Sequence, residues 1–272
     1  MSATRKLGLW QLFATSIGVI VAQINLVSMT QGVGLGGWGF IGAALIAFAI
    51  AMANAMAYAE MALMMPSSGS LSRYAEVAIG DFPAILLVFA GYVTPVLVGL
   101  PAELILADQI LGQSLQLQLP RFTLPLLIVA VLTVLNLLGT DVFARVQTTL
   151  SFTVLAFLVV VGLVALSGQA HAPLPGGTAA ALAGLGHDTS MLSLIALAFW
   201  VFVGSEFVTP LITDAANPQR DIPRAMIGGL LAILVAQILF AVGSAFVLPR
   251  QVLATSATPH MDYALAVLGP GA

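Results

Sequence analysis

The chain has 272 residues, of which 60% are hydrophobic and 7% charged, with a formal net charge of −3. A soluble domain carries about a quarter charged residues, so this composition cannot cover a water-facing surface and implies an integral membrane protein in contact with the lipid bilayer. There is no cysteine and there are only three histidines, His171, His187 and His260. Disulfides, thiolate catalysis and cysteine-ligated metals are therefore excluded, no metal site or other cofactor is expected, and no basic cluster points to nucleic acid.

Charge-free runs predict the spans, because a helix needs about 20 apolar residues to cross a ~30 Å hydrocarbon core. Residues 7–59 carry no formal charge, and "QGVGLGGWG" (Gln31–Gly39) divides that run in two. Further charge-free runs are 82–102, 122–140, 146–187 and 225–249, the fourth turning loop-like at "SGQAHAPLPGGT". Seven helices are expected, at about 8–30, 38–64, 83–110, 122–140, 145–167, 189–213 and 225–248. The start "MSATRKLGLWQLFATSIGVIVAQ" has the basic-then-apolar outline of a signal peptide, but its apolar body is long and no small-x-small cleavage site stands out. It is read as the first span. Arg5, Lys6, Arg73, Arg145, Arg220 and Arg224 then fall on one side, and Arg121 and Arg250 on the other. The bias places the N-terminus in the cytosol and the tail outside, in a plasma (inner) membrane.

Span one has a polar interior, "VAQIN", where Gln23 and Asn25 could serve equally as interhelical glue or as contacts to a zwitterionic solute. Glu60, Glu76, Glu103, Asp108 and Asp141 lie near predicted span ends, within reach of headgroups or water, and receive no site role. Span six contains "FVGSEFVTP" (202–210). A carboxylate inside a span costs at least about 2.5 kcal/mol and usually faces a cavity or a partner. Gly204-Ser205 permits non-helical backbone and Pro210 removes an N–H, so the stretch reads as a discontinuous helix lining a binding site. Glu206 is the candidate for proton coupling. The structural alternative is a glutamate about six residues from the cytosolic helix end, reaching the headgroups. Trp200 reads alone as core or interfacial filler, with a substrate-capping role as the alternative.

Broken transporter helices usually occur in pairs, one in each of two inverted repeats. Polar span one and interrupted span six imply a five-helix repeat whose second copy holds only two members here. Residues 1–272 are thus expected to be one transmembrane transporter domain, truncated at its C-terminal end.

Three stretches together resemble amino acid permeases of the amino acid–polyamine–organocation superfamily. They are "AMAYAEMALMMPSSGSLSRYAEVAIG" (55–80), "NLLGTDVFARVQTTLS" (136–151) and "LAFWVFVGSEFVTPLITDAANPQRDIPRAM" (197–226). The resemblance runs from about residue 8 to the end. It implies an all-α leucine-transporter-like fold of 5+5 inverted repeats, with substrate between broken helices 1 and 6. By this resemblance Gly204 and Ser205 fall in the unwound part of helix 6, Glu206 on the family's Gly-x-Glu acid, and Trp200 on an aromatic that gates substrate in some members. Ala22, Gln23 and Ile24, followed by Asn25, stand where many members have Gly-small-Gly amides that hold a substrate carboxylate. That is a departure, as is Ser70 where glycine is common. Members commonly have ten or more helices. The implied activity is secondary transport of amino acids or related amines, by H⁺ or Na⁺ symport or by exchange. The alternative is a non-transporting membrane scaffold or sensor derived from a transporter half. A seven-helix receptor fits the broken sixth helix poorly, and no catalytic constellation lies within the spans.

Overall fold

The computed structural model describes residues 6–114, 119–120, 122–177, 182–183 and 190–269. Arg5, Arg121 and His187, named above, lie outside the described residues. All regular structure described is helical, apart from one isolated bridge between Leu7 and Ala215. Five stretches are long and apolar enough to cross a membrane: Trp38–Met64 (α3), Asp81–Gly112, Val142–Leu166, Met191–Thr213 and Pro218–Val247 (α10). A sixth is the pair α1 (Leu9–Ile20) and α2 (Gln23–Gly36), bent by 58° at its break. The fourth expected helix, 122–140, corresponds to α7 (Thr123–Leu137), which has 15 residues. At 1.5 Å per residue it is about 22 Å long, short of the ~30 Å core.

Small residues let the spans approach closely, as they must where lipid tails offer no hydrophobic drive between helices. In α3 the buried Ala43, Ala47, Ala51, Ala55 and Ala59 recur every four residues, giving one smooth helix face. Helix α10 is central, packing on α1, α3 and α8 (Thr140–Leu166). Helix α3 packs on α9 (Met191–Trp200). The span Asp81–Gly112 stands at the edge with its apolar residues exposed, Val98 at 69% and Leu97 at 65%. It comprises α5 (Asp81–Val88), a single π turn (Phe89–Val93) and most of α6 (Thr94–Ser114). Between α3 and α5 lies the short α4 (Ser70–Ile79).

The tail beyond α10 is packed onto the other helices. It forms two helices, α11 (Arg250–Thr255) and α12 (Pro259–Leu268). Tyr263 explains why α12 is packed rather than solvated: it is fully buried, meets Phe240 edge-on at 4.8 Å and donates its hydroxyl to the Val161 carbonyl at 3.3 Å. Arg250 ties α11 to the end of α2, donating Nε to Gly34 O at 2.8 Å and Nη2 to Leu35 O at 2.9 Å. A cation on the last carbonyls of a helix also complements its dipole.

His260 in α12 is 5% exposed, and neither ring nitrogen has a hydrogen-bond partner among the described residues. Burial pushes its pKa down to about 4, with Asp262 opposing. An unfolded histidine titrates near 6.5, so between pH 6.5 and 4 only the unfolded chain gains this proton. Stability should therefore fall as pH drops through that window, by up to about 3 kcal/mol from this residue. Thermal unfolding of the parent and of His260→Leu, compared at pH 7.5 and 4.5, checks it. The expected result is a smaller acid-induced loss in the variant; an identical loss would show that His260 contributes nothing to it.

Candidate functional site

Helix α9 ends at Trp200, where the backbone tightens. Phe202 N bonds to Phe199 O and Val203 N to Trp200 O, at 3.1 and 3.3 Å, three residues back rather than four. Gly204 follows at φ +134°, a conformation that residues with a Cβ rarely adopt. The chain then continues as a 3₁₀ helix, Ser205–Thr213. Pro210 gives a local reason for that form. It has no N–H to offer the Glu206 carbonyl as an α-helix would require. The Thr209 hydroxyl bonds that carbonyl at 2.7 Å. Thr209 also pairs with the Ser70 hydroxyl at the start of α4. Ser70 itself has φ +46°, in the left-handed region that favours glycine.

The Glu206 side chain turns back onto the break. Its Oε2 accepts from the Gly204 N–H at 3.0 Å, and the residue is 5% exposed. A glutamate reaching out to headgroups would not be enclosed in this way. Tyr92 lies beside this carboxylate, and Tyr58 lies beside Tyr92. Tyr92 is carried by the π turn and meets Phe207 edge-on at 5.3 Å. A π turn rotates the following side chains out of α register, and such turns are frequent at functional sites.

The break in span one lies at Val21–Ala22, with Val21 at φ −84°, ψ 55° and Ala22 extended. Of the expected stretch Ala22–Asn25, only Ala22 is in the break, while Gln23, Ile24 and Asn25 form the first turn of α2. Neither Val21 nor Ala22 is a helix breaker, so side chains must hold the opening. Asn25 Nδ2 donates to Ile20 O across the gap at 2.5 Å, and the Ile24 N–H donates to Glu103 Oε1 at 2.9 Å.

The two breaks touch. A Cβ on Gly204 would stand 2.9 Å from Val19 Cγ1 and 3.2 Å from Ile20 Cγ1, at the last turn of α1. The fold thus sets Gly204 against Val19 and Ile20, the residues that lead into the Val21–Ala22 break. Trp200 lies before the turn and is 47% exposed. Glu103, given no site role in the sequence, bonds at the first break, and Tyr92, not singled out there, lies at the second. Glu103 stands nine residues before Gly112 at the end of its span, and that depth was the available signal. A separate groove of about 490 Å³, lined by Ser72, Glu76, Asp81, Ile85 and Phe89, lies between α4 and α5 and shares no lining residue with the breaks.

Residues 7–269 match the sequence pattern of the family described as amino acid permease. Among curated relatives, the chain is 27% identical over 302 residues to the protein of Bacillus subtilis named "Putative arginine/ornithine antiporter", covering 99% of this chain and 63% of the relative. It is 26% identical over 268 residues to "Branched-chain amino acid permease BcaP" of Bacillus subtilis, covering 90% and 54%. It is 27% identical over 267 residues to "Uncharacterized transporter Mb2022c" of Mycobacterium bovis, covering 97% and 58%. The chain thus spans 54–63% of the length of these relatives. The pattern extends through every described helix and takes in both breaks, and on that match the chain belongs to the amino acid permease family, a family of integral membrane transporters and not of enzymes.

Proposed function

We propose that this chain supplies seven spans, α7 included, of a leucine-transporter-like secondary transporter for amino acids or related amines. The touching breaks form its substrate site, with Ala22, Gln23, Ile24, Asn25, Gly204 and Ser205 lining it, Trp200 capping it, and Glu206 exchanging a coupling proton. The observation that carries the reading is a carboxylate enclosed at a helix break that abuts a second break, in a chain of this family. Irregular backbone at membrane depth is tolerated only where protein or a water-filled cavity surrounds it, and such paired breaks are where transporters bind substrate. Coupling to H⁺ or Na⁺ fits the buried acid. The basic-residue bias supports a cytosolic N-terminus in the plasma membrane.

The test is uptake of radiolabelled amino acids and amines into proteoliposomes carrying the full-length protein, under an imposed H⁺ or Na⁺ gradient. Gradient-dependent uptake of at least one class is expected; uptake no greater than in empty liposomes for every compound sinks the reading. In this cysteine-free chain, single cysteines at Ser2 and Thr258 also read the orientation. An impermeant maleimide added outside should label the second and not the first.

A further inference from the structure

A corner of the molecule away from the breaks has the outline and polarity of a lipid. Helix α4 ends at Gly80, whose φ of +89° turns the chain directly into α5. The groove of about 490 Å³ between the two helices is lined on the α4 side by Ser72 and Glu76, about one turn apart. Its other wall carries Asp81, Ile85, Phe89 and Val93 at four-residue intervals. Residues four apart share a helix face, so this wall is one stripe with a carboxylate at its head and apolar side chains below. From Asp81 to Val93 the stripe is about 18 Å long, close to the ~15 Å hydrocarbon depth of one leaflet.

The groove also stands where lipid can meet it. Asp81 is the first residue of a membrane span, which sets the head of the stripe at headgroup level. Phe82, Ile85, Leu86 and Phe89 are exposed along that span. Beside it, α4 exposes Val77 and Ile79 next to the charged Arg73 and Glu76, the make-up of a helix lying in the interface.

Charge then selects among lipids. Glu76 pairs with Arg73 at 2.7 Å, the one salt bridge among the described residues, whereas Asp81 has no cationic partner among them. The rim of the groove thus carries one uncompensated negative charge. It repels an anionic headgroup and attracts an ammonium. A primary ammonium also donates hydrogen bonds to carboxylates, which a quaternary one cannot.

We infer that the α4–α5 groove is a binding site for a phospholipid with a primary-ammonium headgroup, a phosphatidylethanolamine. The ammonium sits at Asp81 and Glu76, and an acyl chain runs down Ile85, Phe89 and Val93. The groove is separate from the helix breaks, so this site stands or falls independently of the transporter reading.

Native mass spectrometry tests it on the full-length protein, titrated in detergent with phosphatidylethanolamine, phosphatidylglycerol or phosphatidylcholine of identical acyl chains. The first should bind about fivefold tighter or more than the other two, the scale of a charged hydrogen bond at a partly exposed site. Asp81→Asn keeps the size of the side chain and should reduce that preference to below about twofold. Phe89→Ala shortens the apolar wall and should weaken all three lipids alike, by about threefold or more, with the preference intact.

A phosphatidylethanolamine bearing a diazirine on its acyl chain locates the bound molecule, and crosslinks on residues 85–93 are expected. Equal affinities for the three lipids, or a preference that Asp81→Asn leaves unchanged, would overturn the inference. So would crosslinks confined to other spans, which would show the groove covered by another part of the full-length protein. If Asp81→Asn does not fold, the parent's lipid preference together with its crosslink map still decides.

Discussion

Gly204→Ala should lower the stability of the protein by about 2–6 kcal/mol, the sum of two separable costs. The first is conformational. Gly204 sits at φ +134°, and holding an L-residue with a Cβ in such a region costs about 1–3 kcal/mol. The second is steric, because the new Cβ would come within 2.9 Å of Val19 Cγ1 and 3.2 Å of Ile20 Cγ1. Overpacking of a closed site typically costs about 1–3 kcal/mol more. The double variant Val19→Ala/Gly204→Ala removes the nearest clash and leaves the backbone cost, so it should regain only part of the loss. Thermal unfolding in detergent measures both. A Gly204→Ala protein as stable as the parent would show that the breaks do not abut, and the site built on their contact would fall with them.

The same residue shows why the break in helix 6 was readable from its own residues and that in helix 1 only from the resemblance. Gly204 and Pro210 act through their own backbone chemistry, so the interruption is written locally, even though the turn begins at Val201. Val21 and Ala22 carry no such mark. Their opening exists because Asn25 bonds back to Ile20 and Glu103 takes the Ile24 N–H, and the second partner is 79 residues away. Glu103 was therefore misjudged as an acid near a span end. Long charge-free runs identified six spans. Helix α7 begins after Phe122, at φ +68°, and ends before Gly139, at φ +102°, which leaves it shorter than its run. The packed tail was hidden for another reason. The burial of Tyr263 depends on Phe240 and Val161, neither of which is near it in sequence.

Glu206→Gln separates a capping role from a coupling one. In the structure the glutamate oxygen accepts the Gly204 N–H at 3.0 Å, and a glutamine oxygen can do the same. The substitution should then leave the melting temperature almost unchanged. Glu206→Ala strands that N–H in a closed site, and an orphaned buried donor costs about 1–3 kcal/mol. A stable Gln variant beside a destabilised Ala variant would therefore confirm the cap. Transport answers the other half, because glutamine keeps the length and the hydrogen bond but cannot bind or release a proton. If Glu206 exchanges the coupling proton, uptake by the full-length Gln variant should lose its dependence on pH between 5 and 8. Proton-driven accumulation should disappear, while exchange of substrate across the membrane persists. If uptake and its pH profile instead match the parent, the carboxylate serves only to close the break. The buried charge would then need another reason to be an acid rather than an amide.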